Sequence, residues 1–174
     1  MKSLLSVLVI ISLSAFIAAG QSTSEEAKKL KNPKDCGVAQ YDDFKNSSFS
    51  LLSELLKTET NYDGLKADIA GFKNGEKEMT VENIKGDISK FKKLKKSLES
   101  MDERVISLTN DGNDLLKDAT NVKPVTKVKA ATDNTKKSMK AVDYSKKMVD
   151  ELTVQVSSDI EYLTEQLSDL ENNQ

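Results

Sequence analysis

Ile84, Phe91, Leu98, Val105, Gly112 and Ala119 recur at intervals of seven, and Met101, Leu108, Leu115 and Val122 form a second row of sevens offset by three or four residues. Seven residues are close to two turns of α-helix, so both rows fall on one narrow face that demands a helix lying alongside. The pattern returns in Val128, Thr135, Val142, Val149, Val156, Leu163 and Leu170, with Met139, Leu152, Ile160 and Leu167 beside it. A looser helical series precedes both: Phe44, Leu51, Leu55, Tyr62, Leu65, Ile69 and Phe72. Gly64 and Gly71 weaken it, each by up to about 1 kcal/mol relative to alanine. No stretch sustains the period-two alternation of a half-buried strand.

The breaks between these segments carry their own signals. Asn74-Gly75 marks a stop, Thr80 is a suitable N-cap for the next helix, and Pro124 disfavours helical geometry at Lys123 while suiting the first turn of a new helix. Helices are therefore expected at about 42–73, 81–121 and 125–171, each roughly 45 to 70 Å long at 1.5 Å per residue. Rods of this length bury their stripes only against one another or against another chain. The expected fold is all-α: an elongated antiparallel three-helix bundle with coiled-coil-like heptads, preceded by a flexible N-terminal arm over residues 21–41. The same heptads permit an open coiled coil completed by a second molecule. The first half of the third segment, KVKAATDNTKKSMKA, is poor in large apolar groups and is expected to pack loosely.

Charge runs in blocks that match an antiparallel hairpin. Residues 81–98 carry six lysines against Glu82 and Asp87, and 99–120 carry six acids against Arg104 and Lys117. Residues 123–147 carry eight lysines against Asp133 and Asp143, and 148–174 carry seven acids and no base. A turn near Lys123 sets residue 90 roughly opposite residue 156 and each positive block against a negative one. Complementary flanking charges select partner and orientation, although an exposed pair is worth only about 0.2–1 kcal/mol. The stretch SKFKKLKKSLESM at 89–101 belongs to this pattern. Its Lys90, Lys92, Lys93, Lys95 and Lys96 form a basic patch opposite Phe91, Leu94, Leu98 and Met101, the composition of a helix that lies on a membrane surface. Those apolar residues also belong to the bundle seam, so the lysines are expected to lie against the acidic stretch after Met148.

The first twenty residues, MKSLLSVLVIISLSAFIAAG, have the form of a secretory signal: Lys2, an apolar run from Leu4 to Ile17, then Ala18 and Gly20 at the −3 and −1 positions before Gln21. A membrane anchor needs about 20 apolar residues; this run is shorter, and no transmembrane segment is expected after it. The expected organisation is a leader at 1–20, the arm at 21–41 and a helical domain at 42–174. Without Lys2 the chain holds 25 basic and 28 acidic residues, a balance that disfavours nucleic acid as a partner. Cys36 is the only cysteine, which leaves an intermolecular disulfide or a free thiol. Asn46-Ser47-Ser48 is an N-glycosylation acceptor pattern on a secreted chain.

Histidine is absent, which removes the commonest general base and metal ligand and any Ser-His or Cys-His pair. One cysteine makes no thiolate zinc site, the seven glycines form no phosphate loop, and DGND at 111–114 lacks the remaining ligands of a calcium loop. No catalytic, cofactor-binding or metal residues are assigned, no cofactor is expected, and the chain is expected not to be an enzyme. Three roles stay open. The foremost is a secreted protein acting by binding an extracellular protein partner, or a second copy through Cys36 or a coiled coil. The others are a carrier of lipid or another apolar ligand that opens its amphipathic helices, and a structural or protective helical rod.

Overall fold

The structure, a computed structural model, describes residues 23–172. The expected leader at 1–20, and residues 21–22 of the expected arm, lie outside the described residues. Helix α1 covers residues 23–29, α2 runs Ala39–Asn74, α3 Val81–Asp118 and α4 Val128–Asn172. No strand occurs among the described residues. The three long helices form an elongated antiparallel bundle running up, down and up. Arg104 of α3 meets Glu54 of α2, Lys85 of α3 meets Glu171 of α4, and Tyr62 of α2 meets Asp159 of α4.

The helix ends follow local chemistry. Thr80 caps α3, its hydroxyl oxygen accepting from the Asn83 N–H at 3.2 Å. Gly75 closes α2 in the left-handed region at φ 77°, and the next chain reversal is tied by Lys77 N–H to Gly71 O at 2.9 Å. Helix α2 begins at Ala39, earlier than the expected 42, because Asp42 reaches back to accept the Cys36 and Gly37 N–H groups at 2.7 and 2.9 Å. Two 3-10 turns, Ala119–Asn121 and Val125–Lys127, join α3 to α4 around a cis Lys123–Pro124 peptide.

The heptad rows form the core. Ile84, Phe91, Leu98 and Val105 of α3 and Val142, Val149, Val156 and Leu163 of α4 are buried, with Leu51, Leu55 and Tyr62 of α2 against them. The register of α3 against α4 is offset from a symmetric hairpin, with close packing at one point and an ion pair at another. A β-carbon on Gly112 would lie 2.1 Å from Met139 Sδ and 2.7 Å from Phe44 Cζ, so this bare position is where the three helices come together. A symmetric fold about Lys123 sets Gly112 opposite residue 134 and Lys85 opposite 161; they instead meet Met139 and Glu171.

The lysine-rich start of α4 packs tightly, which corrects the expected looseness. Ala131, Thr135, Ser138, Ala141 and Ser145 are fully enclosed, and the hydroxyls of Thr135, Ser138 and Ser145 each donate to the carbonyl four residues back. Small side chains here leave room for the N-terminal arm. Residues 23–38 run back along the seam between α2 and α4. Ser24 donates to Glu59, Thr23 to Glu151 at 3.1 Å, and Tyr144 to Glu26 at 3.3 Å. Further along, Asn134 donates to the Lys34 carbonyl at 2.7 Å, and the buried Lys45 ammonium pairs with Asp35 and donates to the Pro33 carbonyl.

Gly112→Ala is expected to lower stability by about 1–3 kcal/mol, the usual cost of forcing extra volume into a packed core. Gly64→Ala and Gly86→Ala, where an added β-carbon meets nothing within 4 Å, are expected to raise it by about 0.4–1 kcal/mol through helix propensity and a stiffer unfolded chain. Thermal melts followed by circular dichroism separate the two signs.

Candidate functional site

The basic patch lies on the outer side of α3. Phe91 and Leu98 are fully buried and Leu94 and Met101 nearly so, so the folded helix offers no apolar face to a bilayer. Lys90, Lys92, Lys93 and Lys96 are exposed and Lys95 is half-buried. Only two lysines of this half of α3 enter ion pairs. Lys85 reaches Glu171 at 2.8 Å; Lys90 pairs with Asp87 on its own helix at 2.7 Å and with Asp68 of α2 at 3.6 Å. Lys92, Lys93, Lys95 and Lys96 join no ion pair among the described residues, so the neutralisation expected from the acidic end of α4 is confined to Lys85. The reason is geometric: Lys92, Lys93 and Lys96 stand on the solvent side of α3, and Lys95 lies half-buried at the edge of the seam without reaching an acid. With Lys85, Ile88 and Ser89, Lys92, Lys93 and Lys96 line a shallow depression.

Several of the other charges hold the scaffold. Asp87, 3% exposed in its side chain, receives both Lys77 and Lys90, and Asp68 pairs with the same two lysines. This four-member network ties the α2–α3 turn, and Lys77 also lies 4.7 Å from the centre of the Phe72 ring. Arg104 grips Glu54 through two nitrogens at 2.5 and 3.2 Å; that hydrogen bonding holds the Glu54 carboxyl below its ordinary pKa. Tyr62 donates to Asp159 at 2.9 Å inside the α2–α4 interface. Burial raises both groups' pKa values; for Asp159 the Tyr62 hydrogen bond and the nearby Lys66 and Lys73 act in the opposite direction.

Asn46 is exposed on α2, where with Ser47, Ser50, Arg104, Ser107, Leu108 and Asp111 it lines an open groove between α2 and α3. Ser48 is buried and donates to the Phe44 carbonyl at 2.8 Å. Cys36 is half-buried at the end of the bundle, beside Tyr41, Val122 and Ala131. Burial holds its thiol above the ordinary pKa, which disfavours the reactive thiolate. The patch, Asn46 and Cys36 are thus separate features, not one constellation. No group of three or more potential metal ligands forms among the described residues, and no described helix is long and apolar enough to cross a membrane. Buried Lys45 and Asp87 and half-buried Asp159 carry structural roles that period and composition alone do not single out.

The class of protein this defines is an all-α antiparallel three-helix bundle. No family model, curated protein or solved structure matches the chain.

A carboxyl held above its unfolded pKa favours the folded state when protonated; its contribution is present at low pH and lost as pH rises through the folded value. Glu54, held low, contributes above its unfolded pKa and loses that contribution on acidification. Tyr62→Phe is expected to move the Asp159 titration to still higher pH, since a hydrogen bond to the carboxylate is gone, and to cost about 0.5–1.5 kcal/mol for the lost hydrogen bond. Carboxyl-carbon NMR titration and denaturant melts read the two effects.

Proposed function

We propose that the chain is a secreted, non-enzymatic helical protein that acts by binding an extracellular protein partner, and that the partner presents an acidic surface to the outer side of α3. The observation that carries this reading is the set of four lysines, 92, 93, 95 and 96, exposed or half-buried and in no ion pair among the described residues. Lys136, Lys137, Lys140, Lys146 and Lys147 of α4 are likewise exposed and join no ion pair among the described residues; the α3 set is the denser run, with four ammonium groups between positions 92 and 96. From Lys85 to Lys96 the ridge is about 16 Å long, comparable to one edge of a standard protein interface. An acidic partner would be steered to it, and such steering weakens with salt.

Secretion is supported by the form of residues 1–20. Protein recovered from the medium of expressing eukaryotic cells is expected to begin at Gln21 on N-terminal sequencing. Recovery only from cell lysate, with Met1 retained, overturns secretion.

The lysine face is tested by the Lys92→Glu/Lys93→Glu/Lys95→Glu/Lys96→Glu variant. Wild type is expected to bind poly-glutamate, used as a defined acidic polypeptide, with an affinity that falls as salt rises; the variant should bind at least tenfold more weakly. Because none of the four joins an ion pair, the melting temperature should stay within a few degrees. Unchanged binding with a lowered melting temperature would show that the lysines serve the bundle and would overturn the assignment. Helix gain and co-flotation with lipid vesicles would favour the carrier role instead.

A further inference from the structure

The N-terminal arm is fastened almost wholly to other elements. Inside residues 23–38 the backbone bonding beyond α1 itself is Leu30 N–H to the Ala27 carbonyl, while Thr23, Ser24, Glu26, Pro33, Lys34 and Asp35 are tied to α2 or α4. The seam that receives it is built for this segment. On α4, Asn134, Ser138, Ala141 and Ser145 fall on one face at helical spacing; on α2, Lys45, Ser48, Leu52 and Glu59 do the same. Few apolar groups hold the arm down: Ala27 is buried, and Leu30 packs against the core from the edge. Every one of these ties would be supplied equally by a second copy of the chain.

The chain reverses between arm and α2 at Gly37, whose φ of 74° is one that other residues rarely adopt. Gly37 lies at one end of the bundle, where its carbonyl accepts from Lys127 Nζ at 2.6 Å. Two residues from Lys127 stands Val125, 73% exposed and the most exposed large apolar side chain among the described residues. If the reversal at Gly37 straightens, the arm projects past this end. A second copy related by a two-fold axis then offers its own seam, and the two Val125 side chains come to the shared junction.

We propose that this end of the bundle is a two-fold contact between two copies of the chain, in which each arm leaves its own α2–α4 seam at Gly37 and lies in the seam of the other. Exchange of an identical element adds no new groove and needs only that the hinge open. The arm's bonds to the seam are the same in both forms and set how fast exchange occurs. The Asp42 bonds to the Cys36 and Gly37 N–H groups and the Lys127 bond to the Gly37 carbonyl belong to the closed reversal and are lost when it straightens. The hinge and the junction at Val125 set how far it goes. The inference is independent of the lysine face: it concerns the opposite end of α3.

Size-exclusion chromatography with light scattering on the chain from Gln21, across rising protein concentration, tests it. Wild type is expected to show a growing dimer fraction. Gly37→Ala, which strains the reversal but not a straightened hinge, is expected to raise the dimerisation constant at least tenfold, and Val125→Asp to lower it at least tenfold. In a mixture of isotope-labelled and unlabelled copies, cross-copy nuclear Overhauser effects are expected between Ala27 and the core. A monomer at every concentration in wild type and Gly37→Ala alike overturns the proposal, and so does a dimer whose Ala27 contacts are all within one copy.

Discussion

Three helices converge where Gly112 carries no side chain. Met139 and Phe44 enter the space that a β-carbon would fill, and that contact fixes how far α3 has slid along both neighbours. Above and below it the heptad rows take their places, since interdigitated side chains in a dense core have few alternative registers. The α2–α3 turn is then held by the Asp68, Lys77, Asp87 and Lys90 network, and the flank by Arg104 on Glu54. A buried acid such as Asp87 is tolerated because two lysines reach it.

The same economy of volume explains the start of α4. Alanine, serine and threonine there make the helix look weakly packed when it is considered as one member of a three-helix set. They allow a fourth strand of chain, the arm, to approach closely, and their hydroxyls are satisfied within the helix. A seam that tight offers an apolar ligand less than a loose one would. What it does offer is a precise seat for residues 23–38, from this copy or another.

The lysines of α3 show the converse case. Bundle formation uses up Phe91, Leu94, Leu98 and Met101 and so removes the membrane-seeking character of SKFKKLKKSLESM, yet it leaves the opposite face of the same turns unmatched. A charge block can therefore be complementary along a whole hairpin and still leave individual ammonium groups unpaired, because α-helical geometry points only part of each block toward a neighbour.

Much of the fold was legible in the sequence. Seven-residue spacing named Ile84 to Ala119 and Val128 to Leu170 as seam residues, Thr80 and Gly75 marked helix ends, and the order of charge blocks required antiparallel neighbours. These are local or periodic properties, carried by residues close in the chain. The candidate site was only half legible: five lysines could be located, but which of them would be paired depended on rotation and register. Those were decided by tertiary contacts at Gly112. The seating of the arm, the burial of Lys45 and the pairing of Tyr62 with Asp159 likewise join residues far apart in sequence. Their partners are chosen by volume and desolvation, which a one-dimensional pattern does not carry.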